Sequence, residues 1–210
     1  MDCFAVLAMT YPTTNHPSKP IITMKRISVF VSGNGTNLQR IAEYFQGNPD
    51  VEIVNVVCNN PKAYAIERAK NLGIPVRMIN RQEFNNPEFT QEMADLKLDL
   101  IVLAGFLWKI PASLIQAYPK KIVNIHPALL PKYGGKGFYG EHVHEAVVAA
   151  KEQFSGITIH YVNEIYDSGE IILQAYTALE SGETPDTLAA KIHKLEQAYF
   201  PVAIEQVLKQ

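Results

Sequence analysis

Apolar and polar positions change period repeatedly along the chain, and the changes mark its elements. Ile27-Ser28-Val29-Phe30-Val31 reads as a short buried strand. Leu38, Ile41, Ala42 and Phe45 then recur at helical spacing and form one apolar face. Gly47-Asn48-Pro49-Asp50 ends that helix, and Val51 to Cys58 reads as a second strand. The alternation continues with a helix from Ala63 to Leu72, closed by Gly73, and a strand from Pro75 to Ile79. Phe89, Met93 and Leu96 face the next helix, and Leu98 to Ala104 is the most apolar strand. A helix near 111–118 leads to a strand from Lys121 to Ile125. This order predicts a parallel sheet with helices on both faces.

The pattern changes beyond Pro131. Lys132 to Gly140 is a glycine-rich loop, compatible with a mobile lid or a rigid turn, and Glu141 to Glu152 reads as a helix. Gly156 to Val162 and Ile171 to Thr177 look like a strand pair. Thr184-Pro185 opens a long closing helix with the stripe Leu188, Ile192, Leu195, Tyr199 and Val202, and Pro201 is a candidate kink. The predicted fold class is α/β, a Rossmann-like doubly wound sheet, parallel in its N-terminal half and mixed in its C-terminal half. Residues 1–23 do not fit. Cys3 to Met9 is apolar but short and lacks a preceding positive charge, so it is no signal peptide, and Thr10 to Pro20 has linker chemistry. We expect residues 1–23 to be a leader or extension without chemistry, Met24 to be the true start, and residues 24–210 to form one domain.

Composition narrows the function. Of 210 residues, 47% are hydrophobic and 19% charged, which supports a sizeable core and excludes wholesale disorder. A net charge of −2 lacks the basic footprint of a nucleic-acid binder. Two cysteines, Cys3 and Cys58, are too few for a disulfide scaffold and point to a reducing cytoplasm. No apolar run approaches the roughly 20 residues that span a bilayer. The expected partners are small molecules, with no nucleic acid and no membrane, and the expected state is a monomer or homodimer.

Two stretches carry candidate chemistry. Ser32-Gly33-Asn34-Gly35-Thr36-Asn37 joins the first strand to the first helix. Unpaired amides at a helix N-terminus attract anions, the glycines allow close approach, and Ser32, Asn34, Thr36 and Asn37 add neutral donors. The loop is neither a dinucleotide fingerprint nor a Walker sequence. A plain β–α turn capped by Asn or Thr has the same composition. In Val123-Asn124-Ile125-His126-Pro127, alternation puts Asn124 and His126 on one face at the strand's carboxyl end. Both can donate to an oxyanion, and His126 can move a proton; a buried, satisfied histidine is the plain alternative. Asp167, in Tyr166-Asp167-Ser168-Gly169, would raise the His126 pKa if the two met, and is otherwise a turn aspartate. His142 and His144 read as surface or pocket-rim residues, and His160 as a hydrogen-bonded sheet residue.

Taken together, Ser32-Gly33-Asn34-Gly35-Thr36-Asn37-Leu38-Gln39, Val102-Leu103-Ala104-Gly105-Phe106, Asn124-Ile125-His126-Pro127-Ala128-Leu129-Leu130-Pro131-Lys132-Tyr133 and Asp167-Ser168-Gly169-Glu170-Ile171-Ile172-Leu173-Gln174 resemble the folate-dependent phosphoribosylglycinamide formyltransferase family. The order and spacing fit over residues 25–208. The resemblance implies the formyltransferase fold and transfer of the formyl group of 10-formyltetrahydrofolate to the glycinamide amine in purine (IMP) biosynthesis, through an oxyanion intermediate. It implies catalytic roles for Asn124, His126 and Asp167, with Asp167 keeping His126 charged. It implies ribotide contacts from Gly35, Thr36, Asn37, His193, Lys194 and Glu196. Folate contacts would come from Leu107, Trp108, Lys109, Ile110, Asn124, Asn163, Glu164, Ile165 and Tyr166. No metal is expected, because the formyl donor is already activated. Family members often carry an Arg near residue 87, where this chain has Asn86-Pro87-Glu88. The alternatives are a formyltetrahydrofolate hydrolase-like enzyme and a non-catalytic ribotide- or folate-binding module. A methionyl-tRNA formyltransferase is disfavoured by the net charge.

Overall fold

The structure, a computed structural model, describes residues 24–210; the expected leader, residues 1–23, lies outside the described residues. The first part alternates β1 (Lys25–Val31), α1 (Thr36–Phe45), β2 (Val51–Cys58), α2 (Ala65–Asn71) and β3 (Val76–Met78). Next come α3 (Arg81–Phe84), α4 (Pro87–Asp95), β4 (Leu100–Leu103), α5 (Ala112–Ala117) and β5 (Ile122–His126). The second part contains α6 (Glu141–Ala149), β6 (Phe154–Tyr161), β7 (Ile171–Ala178) and α7 (Pro185–Leu208).

The strands form one sheet in the order β3-β2-β1-β4-β5-β6-β7. β1 to β5 pair in parallel, whereas β6 runs antiparallel to β5 and β7 antiparallel to β6. The chain winds outward from β1 to β3, then crosses back to place β4 on the other side of β1. That reversal is the switch point where open α/β sheets leave a crevice at their carboxyl edge.

Period-two alternation divides the strand residues between two cores. Val29, Val31, Val56, Cys58 and Val102 join Leu38, Ile41, Leu188 and Ile192 in one layer. Phe30, Val57, Ile101 and Leu103 point the other way, into Phe84, Phe89, Met93 and Phe106. Phe30 packs edge-on against Phe106 with ring centroids 5.4 Å apart. Burial on both faces explains why these strands read as continuous apolar runs.

Three differences from the expected elements have local causes. α3 has only four residues, too short for a visible apolar stripe, and is held by a capping box between Asn80 and Glu83. The helix expected through Glu152 stops at Ala149, just before Lys151 turns to a φ of 53°. α7 continues through Pro201 as one helix. Proline cannot donate to the Gln197 carbonyl one turn back, and Arg40 Nε takes that carbonyl instead at 3.1 Å. None of the described helices is long and apolar enough to cross a membrane.

Candidate active site

A cleft of about 540 Å³ opens at the carboxyl ends of β1, β4 and β5, beside the switch point. Gly33 to Asn37 form one wall, Leu103 to Ile110 another, and Asn124 and His126 the floor, with Gly135 to Gly140 and Asn163 to Asp167 around the opening.

At the first wall, Gly35 is the N-cap of α1, and no side chain caps the helix. The amides of the first turn are therefore open toward the cleft, the arrangement that attracts an anion. Gly35 adopts a φ of 77°, and a Cβ on it would come within 2.6 Å of Ala65 Cβ. Glycine is thus demanded both by conformation and by the close approach of α2. Arg68 of α2 pins the loop by donating from Nε to the Asn34 carbonyl at 2.9 Å. The Ser32 hydroxyl does not serve the anion as expected. It is buried outside the cleft, accepting the Leu107 amide at 2.9 Å, and so ties the ends of β1 and β4 together.

Glu196 of α7 lines the same end of the cleft. Asn37 Nδ2 and His193 Nδ1 both approach its Oε2, at 3.1 Å each, which presets the carboxylate from two sides. The Glu196 hydrogen bond raises the His193 pKa above its ordinary value. His193 thus sits behind Glu196 and does not line the cleft. Lys194 is exposed and also outside it, because a residue two positions from Glu196 on α7 stands on nearly the opposite side of the helix.

The floor is a connected set of side chains. His126 Nε2 lies 2.7 Å from the Tyr133 carbonyl, which can only accept, so Nε2 carries the proton. Its Nδ1 faces Asp167 Oδ2 at 3.7 Å. Asp167 Oδ2 also accepts the Gly135 amide at 2.8 Å, and Oδ1 lies 3.7 Å from His160 Nε2. His160 Nδ1 donates to its neighbour's carbonyl, Tyr161 O, at 2.9 Å, so in the neutral ring Nε2 accepts from Asn124 Nδ2 at 3.1 Å. That contact fixes the Asn124 amide, leaving a second Nδ2 proton for a ligand. Sequence distance hid this set: β6 lies antiparallel beside β5 and pairs His160 with Asn124.

The electrostatics correct one expectation. Burial lowers the His126 pKa below its ordinary value, and Asp167, although it pulls upward, does not reverse the shift. His126 is neutral at rest, not held charged by Asp167. Burial pushes the Asp167 pKa up, but the neighbouring His160 and His126 rings and the Gly135 amide together bring it below the ordinary carboxylate value. The pair therefore rests as carboxylate and neutral imidazole.

The far end is apolar and aromatic. Leu107, Trp108, Lys109, Ile110, Asn163, Ile165 and Tyr166 line it, and Leu107, Ile165 and Tyr166 are exposed there. Glu164 lies outside the cleft: the Asn163 side chain accepts the Ile165 amide in a tight turn that leaves Glu164 in solvent. Two cations rest on rings at this end, Arg81 at 4.4 Å from the Trp108 centroid and Lys109 at 5.8 Å from Tyr166. Sequence reading passed over Arg81, which lies in the short α3. It also passed over His160 as a member of the site and His144 as a buried cleft residue. His160 had a usable signal, since its strand alternation matches that of Asn124. Among the described residues, no group of three or more His, Cys, Asp or Glu is placed to hold a metal ion.

The uncapped helix and the set of titratable side chains face one cleft, and comparison with known proteins shows the family of the chain. The sequence matches the formyl transferase family over residues 25–204, and the chain belongs to that family. Several relatives it resembles are named phosphoribosylglycinamide formyltransferase, and others trifunctional purine biosynthetic protein adenosine-3. The Bacillus subtilis protein is 37% identical over 191 residues, covering 88% of this chain and 95% of that protein. The Arabidopsis thaliana protein, named as chloroplastic, is 39% identical over 85% of this chain, which spans only 64% of its length. The crystal structure of the Bacillus halodurans enzyme superposes with a TM-score of 0.80 at 33% identity, covering 89% of this chain and 96% of that one.

Proposed function

We propose that this chain is a phosphoribosylglycinamide formyltransferase of purine biosynthesis, with glycinamide ribonucleotide and 10-formyltetrahydrofolate as its small-molecule substrates. The observation that carries the reading is the joining of the α1 N-terminus and the Asn124, His126, His160 and Asp167 set in one cleft. The ribotide phosphate takes the amides at Gly35, Thr36 and Asn37, and Glu196 takes the ribose hydroxyls. The folate lies along Leu107 to Ile110, with Arg81 and Lys109 toward its carboxylate tail.

In the reaction the amine nitrogen bonds to the formyl carbon and the bond to folate N10 breaks. The proton the amine loses is the one N10 gains. Asn124 donates its free Nδ2 proton to the developing oxyanion. Because Nε2 is protonated, the basic atom of His126 is Nδ1, beside Asp167. A proton passed there from the amine by Asp167 is paired at once by the carboxylate, and the Nε2 proton then leaves for N10. Proton exchange with solvent after product release, off Nδ1 and onto Nε2, restores the resting tautomer. The Tyr133 carbonyl holds Nε2 until that step. The resting neutral state of His126 suits this relay, since a ring already charged could not take the proton.

We place the enzyme in the cytoplasm on its cysteine usage, as a monomer or homodimer. The test is spectrophotometric deformylation of 10-formyltetrahydrofolate with and without the ribotide. Turnover that requires the ribotide is expected. Ribotide-independent deformylation would reassign the chain as a hydrolase, and no turnover as a binding module.

A further inference from the structure

His144 lies on the inward face of α6 with Val143 and Val147 and also lines the cleft. It is 7% exposed, and its Nδ1 has no hydrogen-bond partner. Asn37 Oδ1, on the same cleft, is likewise buried and unpartnered. Its orientation is settled, because a flipped amide would set oxygen against the Glu196 carboxylate. Buried polar atoms are nearly always paired, so two orphans facing one cavity indicate groups awaiting a ligand. The third such atom among the described residues, Ser155 Oγ, belongs to a separate groove.

The position of His144 narrows which part of a ligand it meets. The cleft lining that His144 shares holds Asn37 and Glu196 at the end assigned to the sugar and His126 at the end that carries the chemistry. In the ribotide, the group between the sugar and the attacking amine is a carboxamide. We infer that His144 Nδ1 hydrogen-bonds that carboxamide, while Asn37 Oδ1 takes a donor from the sugar end. His144 is then a binding residue that aligns the amine with the formyl carbon. The inference rests on the ribotide reading above and extends it to a residue with no other role in the site. The ligand's amide offers both N–H and C=O, so either tautomer of the ring finds a partner.

Asn and Gln variants separate this role from packing. The short Asn amide places a polar atom near the position of Nδ1, whereas Gln reaches toward that of Nε2. His144→Leu keeps most of the volume and removes the polar atom. We expect His144→Leu to raise the ribotide KM and its calorimetric Kd on the order of tenfold, with the folate KM within about twofold. His144→Asn recovers most of the loss and His144→Gln does not. Thermal melting of His144→Leu stays at or above wild type, because an unpaired buried group has been removed. Unchanged ribotide binding in His144→Leu overturns the inference and leaves the enzyme reading intact. So does a rise in both KM values with a lowered melting temperature, which is the signature of a packing role. If wild-type protein neither binds nor uses the ribotide, both readings fall together.

Discussion

The two ends of the cleft are built on different principles. The end beside α1 works through backbone: uncapped amides, a glycine in the left-handed region and a helix packed too close for any Cβ. The floor works through side chains, with Asn124, His126, His160 and Asp167 holding one another in register. A backbone site tolerates many side-chain changes but fails when the path of the chain is altered. A side-chain site keeps its fold when truncated but loses its chemistry.

Truncation of the floor should have the largest effect. Removing one oxyanion donor typically costs about a hundred- to a thousandfold in turnover. Asn124→Ala is therefore expected to lower kcat by that range, and His126→Ala, which removes the proton relay, by about a hundred- to ten-thousandfold, both with unchanged circular dichroism. Turnover near wild type in either would break the contrast at its chemical end.

Gly35→Ala tests the other end. A left-handed conformation costs a non-glycine residue about 1–2 kcal/mol, and the new Cβ meets Ala65. The loop must shift, so the ribotide KM should rise at least about tenfold and the denaturation midpoint should fall, with the folate KM little changed. Thr36→Ala, which leaves the amides in place, is the control and should do much less.

Arg81→Ala sharpens the picture at the aromatic end. A solvent-exposed cation near a carboxylate contributes little, so the folate KM should rise only about two- to fivefold. The ribotide KM should not move. Raised salt should shrink the difference between Arg81→Ala and wild type.

The smallest expected effect is on stability against pH. Burial lowers the pKa of both His126 and His144 from the ordinary 6.5. Below about that value the unfolded chain binds protons that these folded rings refuse, so the stability present above it is lost as pH falls. His193, raised by Glu196, contributes with the opposite sign. Two lowered rings against one raised ring predict a lower urea midpoint at pH 5.5 than at pH 7.5. His144→Leu should flatten the decline, and a midpoint that rises on acidification would contradict the electrostatic assignment.

Much of this was legible along the chain, because strands, helices and the loop after β1 are local patterns. Val51 to Cys58 was delimited as observed, and Asn124 and His126 followed from two-residue alternation on one strand. The Asp167 contact was conditional until β6 and β7 folded back beside β5. His144 looked ordinary because nothing in its neighbours reveals what it faces, and the alternation around His160 became informative once β6 paired with β5. Even the sign of the His126 shift went the other way, since charge partners can be guessed from motifs but desolvation depends on everything packed around the ring.

The sequence by itself determined the layered α/β architecture, the glycine turn after β1 and the family to which the chain belongs, all of which rest on periodicity and short spacing. Tertiary structure alone decided which distant groups share the cleft, which of them are paired, and which proton sits where. Those properties depend on burial and on distances between residues far apart in the chain, and no local pattern encodes them.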